Sequence, residues 1–132
     1  MLNLPPQPAN QTDERLQLAV RASGLGIFDH DHRTGALFWS PEMHRICGIQ
    51  AGSEVSLQGY VDLVHPEDRG RVGAAIARAH DASAGGELEI EHRIVRNDGE
   101  VRWLAVRSQT TFEGEGDRGR PARTVGVILD VT

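Results

Sequence analysis

Glu91-His92-Arg93-Ile94-Val95-Arg96-Asn97-Asp98-Gly99-Glu100-Val101-Arg102-Trp103-Leu104 contains two alternating runs around an Asp-Gly pair. Alternation with a period of two marks a half-buried strand. Asp-Gly is a strong signal for a two-residue hairpin turn, whose central positions need φ > 0. The stretch therefore predicts a β-hairpin. A two-residue loop would pair Asn97 with Glu100, placing Ile94 opposite Trp103, His92 opposite Ala105 and Ile90 opposite Arg107. Gly126–Thr132 reads as a further strand.

Working outward, the pattern predicts strands over Glu87–Arg96, Val101–Phe112 and Ala122–Val131, the last two joined by a polar loop at Glu113–Pro121. Before them, Gly26–Asp31 and Ala36–Trp39 read as two short strands about an Arg33-Thr34-Gly35 turn. Ser40-Pro41-Glu42 carries the signals of a helix start: Ser as N-cap, Pro at the first helical position, an acid in the first turn. Leu57–Val64 predicts a second short helix. His65-Pro66-Glu67-Asp68 opens a third, with Val72, Ile76 and Ala79 on its inward face and Gly85-Gly86 at its end. Near the N-terminus Thr12 is a candidate cap for an amphipathic helix over Asp13–Ala22, and residues 1–11 read as a disordered lead. Strands joined by hairpins, with helices gathered between them, predict an α+β fold on an antiparallel sheet.

The net charge of −5 over 132 residues argues against nucleic acid or an anionic membrane as the main partner, since both need a basic face. All 14 cationic side chains are Arg, so no Lys chemistry is available. The single cysteine, Cys47, rules out an internal disulfide and any multi-Cys zinc site, which suits a reducing cytoplasm. No apolar run approaches the ~20 residues of a membrane span, so the reading expects no direct membrane contact.

The ordered set Gly24–Asp29, Thr34-Gly35, Trp39-Ser40-Pro41-Glu42, Gly48, His65–Arg69, Arg93–Trp103, Gly126 and Asp130-Val131-Thr132 resembles the PAS family, most closely the subtype with an Asp-Gly-x-x-Arg-Trp hairpin. The resemblance runs from about Arg15 to Thr132. It implies a PAS fold: a five-stranded antiparallel sheet in order 2-1-5-4-3, with helices on one face enclosing a small pocket. It divides the chain into a lead over 1–11, an N-terminal flanking helix over 12–25 and a sensory domain over 26–132. It also implies a bacterial signalling module without catalysis of its own, the input of a sensor histidine kinase, with the output domain following in the same chain. The alternatives are a diguanylate cyclase or phosphodiesterase output, or a PAS module that only dimerises. A homodimer through the N-terminal helix and sheet is the expected partner arrangement.

Within that frame, His30 and His32 share one face of the first strand, but strands one and three lie roughly 14 Å apart in the family order, so His30 and His92 cannot share a metal, and no metal site is expected. The register nominates His92 and Arg107 as pocket lining, and His30 and Trp103 are candidates beside them. A buried His and Arg need partners, which a small polar or anionic molecule would supply; the ligand itself is left unknown. His80 stands where some relatives ligate haem, yet the surrounding haem motifs are absent, and the reading expects a solvated helix residue. Light-sensing relatives use a Cys to form a flavin adduct, but their Asn-Cys-Arg-Phe motif is absent around Cys47. These absences argue against haem and flavin. Gly114–Gly119 matches Gly-x-Gly-x-x-Gly only formally, since it joins two strands. Glu87, Glu89 and Glu91 read as a solvated strand face, and no nucleophile–base pair is identifiable.

Overall fold

Five strands form one antiparallel sheet in spatial order β2-β1-β5-β4-β3 in the computed structural model, which describes residues 9–115 and 118–132. The strands are β1 (Gly26–Asp31), β2 (Leu37–Trp39), β3 (Glu87–Val95), β4 (Val101–Glu113) and β5 (Arg120–Asp130). Between β2 and β3 run α2 (Pro41–Cys47), α3 (Leu57–Leu63), a 3₁₀ turn at Pro66–Asp68 and α4 (Arg69–Ala79). The fold class and sheet order match the expectation.

Local chemistry explains the helix starts. Ser40 is the N-cap of α2, its hydroxyl accepting from Met43 N at 3.3 Å. The same oxygen accepts from Ile27 N at 2.9 Å, which fastens α2 to β1. Ser56 caps α3 by accepting from Gly59 N at 2.9 Å. The predicted third helix is divided, because Pro66–Asp68 winds tightly and α4 begins only at Arg69. The N-terminal helix, α1 (Ala9–Ser23), starts earlier than predicted, so Thr12 falls within its range and not at its start. Residues 9–11 of the expected lead are therefore helical, and residues 1–8 lie outside the described residues.

Met43, Ile46, Cys47, Ile94, Leu104, Val106 and Ile128 form the core between α2 and the sheet. Val64 and His65, just before the 3₁₀ turn, cover part of the free edge of β3, which would otherwise expose unpaired backbone groups: His65 N donates to the Arg93 carbonyl at 2.9 Å and Val64 bridges to Ile94.

The hairpin loop is one residue longer than predicted. Arg96 N donates to the Glu100 carbonyl at 2.8 Å, and Gly99 N to the Arg96 carbonyl at 2.9 Å. Within the loop only Gly99 has positive φ, at 86°. Asp98 instead turns its carboxylate to accept from Glu100 N at 2.9 Å. This is a three-residue loop with glycine in the left-handed position. The register moves by one: His92 faces Leu104, Arg93 faces Trp103, Ile90 faces Val106 and Glu89 faces Arg107. A one-residue slip exchanges the two faces of a strand, so Arg107 and Trp103 point away from the helices.

Candidate functional site: a cavity under the helices

The inward side chains of the sheet and the inner faces of α3 and α4 enclose a cavity of about 80 Å³. Its walls are mainly apolar, with Phe28, Trp39, Val72, Ile76, Ile90 and Val106 prominent. Val72, Ile76 and Ala79 line it from α4, as their helical spacing predicts. Two polar groups of side chains interrupt these walls.

The first joins α3 to β3. The Tyr60 hydroxyl lies 2.7 Å from His92 Nε2, and His92 Nδ1 lies 3.1 Å from the Arg93 carbonyl. A carbonyl only accepts, so Nδ1 carries the proton and Tyr60 donates to Nε2. His92 is 1% exposed, and burial pushes its pKa down, keeping the ring neutral. Burial also raises the Tyr60 pKa well above the usual phenol range. The second group lies where β1 meets the end of α4. His30 and His32 rings are centred 4.2 Å apart, and His32 and His80 rings 4.8 Å apart, edge on. His32 Nε2 lies 2.7 Å from Thr124 Oγ1, itself 2.7 Å from Thr110 Oγ1. His30, His80, Thr110 and Thr124 reach the cavity.

Of the four nominated lining residues, His30 and His92 stand on the cavity wall. Arg107 does not: its side chain is 72% exposed and pairs with Glu89 at 2.8 Å on the opposite face. Trp103 is also on that face, 42% exposed, with the Arg93 guanidinium 5.3 Å above its ring. Both misplacements follow from the hairpin register. His80, expected to be solvated, is half-buried in the cavity wall. Sequence reasoning missed Tyr60, although Leu57, Tyr60 and Val64 fall at helical spacing, and it missed Thr110 and Thr124, which alternate inward on neighbouring strands. Cys47, the last residue of α2, is fully buried outside the cavity lining, and burial pushes its thiol up to about 12. Among the described residues no group of His, Cys, Asp and Glu is arranged to hold a metal ion.

Burial lowers the pKa of His30, His32 and His80, and neighbouring imidazoles add to it at His32 and His80; His32 falls to about 4. Asp31, beside His30 and His32, opposes the shift. A folded-state pKa below the unfolded value of ~6.5 means that stability is fully present above that pH and is lost as pH falls toward the folded value. The expected result is a constant Tm from pH 8 to 7 and a progressive fall between pH 6.5 and 4.5, read by circular dichroism. A flat Tm across that window would show that these rings do not stay neutral in the fold.

Comparison with known proteins places the chain. The family described as PAS fold matches residues 36–128. A blue-light-activated histidine kinase from Brucella ovis is 30% identical over 122 residues, 92% of this chain and 23% of the relative. The crystal structure of a sensory box histidine kinase/response regulator from Burkholderia thailandensis is 33% identical, with TM-score 0.71, covering 89% of this chain and 85% of that one. The LOV protein of Rhodobacter sphaeroides shares the fold at TM-score 0.62 and 17% identity, covering 92% of this chain and 68% of that one. The chain spans about 23% of the length of the curated relatives it matches.

These likenesses overturn the expectation against flavin. Side chains alone are transparent to blue light, so a blue-light-activated relative needs a chromophore, and flavin is the one the resemblance assigns to the family's light sensors. The missing Cys motif bears only on a covalent adduct, not on binding. The lining suits a flat aromatic ring in its chemistry, with Phe28, Trp39 and Ile90 as apolar walls and Tyr60, His92 and Thr110 as neutral polar groups. Cys47 is not placed to bond to such a ring. No helix among the described residues is long and apolar enough to cross a membrane.

Proposed function

The chain belongs to the PAS-fold family and is a sensory domain of signal-transduction proteins; on that premise we propose that it is the input module of a histidine kinase, in which occupancy of the cavity is relayed to the Asp130-Val131-Thr132 segment. One observation carries the reading: the α4 wall of the cavity connects to that segment through a continuous run of polar contacts. Asp68, at the N-terminal end of α4, accepts from Arg93 N at 2.8 Å, Nε at 3.1 Å and Nη2 at 2.9 Å. Arg93 lies over Trp103. The Trp103 carbonyl accepts from Val131 N at 2.9 Å, and Trp103 N donates to Thr132 Oγ1 at 2.9 Å. Asp130, between them, also takes Arg102 Nη1 at 3.3 Å.

The cavity's size suggests how the run is set in motion. It has roughly half the volume of the ~150 Å³ cavity that holds benzene in an engineered protein. An occupant with a fused ring must therefore push its wall outward. The sheet is rigidly hydrogen-bonded, whereas Leu63 is the one fully buried side chain of α3, with Tyr60 partly buried beside it, so the helical wall yields. Displacement of α4 pulls on Asp68 and, through Arg93, on the stacked Trp103. This is a population shift between two wall positions, driven by the occupant's preference for the wider one.

A flavin, if bound, would supply absorption of blue light; Phe28, Trp39, Ile90, Tyr60 and His92 are the residues that would hold it and exclude water from it. The outer face of the sheet exposes Phe38, Trp103, Val125 and Leu129, and α1 exposes Leu16 and Leu18. We read these as the contacts of a homodimer, in which a second copy covers both surfaces. The lone buried thiol suits a reducing cytoplasm.

Native mass spectrometry of the purified protein, with an absorption spectrum before and after incubation with flavin mononucleotide, tests this reading. The expected result is a dimer mass and a flavin-loaded species absorbing in the blue. A monomer that retains no flavin would remove both the dimer and the light-sensing form of the proposal.

A further inference from the structure

We infer that the cavity is built for an electrically neutral, largely apolar molecule and discriminates against carboxylates and phosphates. This inference rests on the reading of the cavity as a ligand site and adds the class of ligand.

The geometry is specific on this point. None of the nineteen lining residues is Asp, Glu or Arg. The charged groups nearby are engaged elsewhere. Asp68 is turned to Arg93, with Arg71 3.7 Å from its carboxylate. Arg71 also donates to the Glu91 carbonyl at 2.7 Å. Asp29 pairs with Arg123, and Arg107 pairs with Glu89, both on the outer face. Arg69 is spent on the carbonyls of Val64 at 3.1 Å and Asp62 at 3.2 Å. Among the described residues no arginine lines the cavity to meet an anion inside, and an unpaired charge in an apolar enclosure is strongly unfavourable.

Histidines are the only groups in the wall that could acquire positive charge. His92 is already committed, with Nδ1 bonded to a carbonyl and Nε2 accepting from Tyr60. Protonating it would place a charge in a buried, mainly apolar setting and force the Tyr60 hydroxyl to turn from donor to acceptor, and burial opposes that charge. His30 and His80 both adjoin His32, so a proton on one is opposed by its neighbours as well as by burial. The polar groups thus offer hydrogen bonds without charge: the free lone pairs of the Tyr60 oxygen, the Thr110–Thr124 hydroxyls and neutral imidazoles. A molecule with an N–H or O–H on an aromatic or aliphatic frame matches them. An ionic tail on such a molecule would have to lie outside the cavity.

The test compares indole with indole-3-carboxylate, the same ring with and without a charge, at pH 7.5, using ¹⁵N–¹H spectra and thermal shift. Indole is expected to raise Tm and move the amide signals of Ile90, His92 and Val106, with the carboxylate at least tenfold weaker at the same residues. Equal or tighter binding of the carboxylate there would overturn the inference of neutrality and leave the ligand-binding reading standing. Ile76→Ala, which widens the cavity from an α4 position, is run in parallel. If neither probe perturbs the lining residues in the native protein or in Ile76→Ala, the cavity takes no small molecule and both readings fall.

Discussion

Asp68→Ala is expected to lower Tm by roughly 10 °C, the scale for losing several hydrogen bonds to one carboxylate in a domain of this size. The carboxylate is the shared acceptor for the backbone N–H and guanidinium of Arg93. These bonds hold its pKa well below the usual carboxylate range. Removing it leaves the Arg93 amide without its partner at the edge of β3 and releases the guanidinium. Glu67, 3.0 Å from Arg93 Nη2, is the remaining anchor, but it is exposed and supplies little alone. The sign with pH follows from the depressed pKa: stability from Asp68 is fully present above the unfolded value of ~3.9 and is lost progressively as pH falls from there toward the lower folded-state value. Wild type and Asp68→Ala should therefore differ most at neutral pH and converge in acid. Equal Tm values at pH 7 would show that the Asp68–Arg93 contacts do not fasten α4 to the sheet.

Gly126→Ala is expected to cost about 2 kcal/mol, within the range for forcing atoms into a filled space. Gly126 lies on the inner face of β5, opposite Phe28 of β1. A Cβ there would overlap the end of the Phe28 ring and sit 2.8 Å from the Arg107 carbonyl oxygen. The backbone oxygen belongs to the β4 ladder and cannot move far, so the ring must swing away. Phe28 lines the cavity, which makes the glycine a determinant of its shape as well as of stability. Chemical denaturation should show the loss at unchanged m-value, and indole binding should weaken with it. Unchanged stability and binding would mean that the ring relaxes freely and does not set the wall.

The parts of this fold that were legible in the sequence are those decided by neighbouring residues. Ser40-Pro41-Glu42 starts a helix because Ser, Pro and an acid act within one turn, and the structure puts α2 there. Val72, Ile76 and Ala79 line the cavity because the 3.6-residue period is an intrinsic property of the helix. The hairpin marks the limit. Asp98-Gly99 fits two loop types that differ by one residue, and the choice depends on whether Arg96 or Asn97 meets Glu100, which alternation does not decide. That single residue moved Arg107 and Trp103 from the cavity to the outer face. His80 follows Ile76 by four residues, so helical spacing placed it on the lining face. Its polarity suggested solvent, and only the approach of β1, bringing His32 edge on, reveals why it is half-buried. The thiol motif was read as bearing on flavin itself, when it bears only on the covalent bond to flavin.

The central claim is that the state of the cavity reaches the Asp130-Val131-Thr132 segment. Hydrogen–deuterium exchange, with and without saturating indole, tests it at two amides. Val131 N is bonded to the Trp103 carbonyl and Thr132 N to Asp130 Oδ1 at 3.0 Å. The account predicts that indole alters exchange at both amides together with those of α4. Protection confined to the cavity lining, with Val131 and Thr132 unchanged, would contradict it.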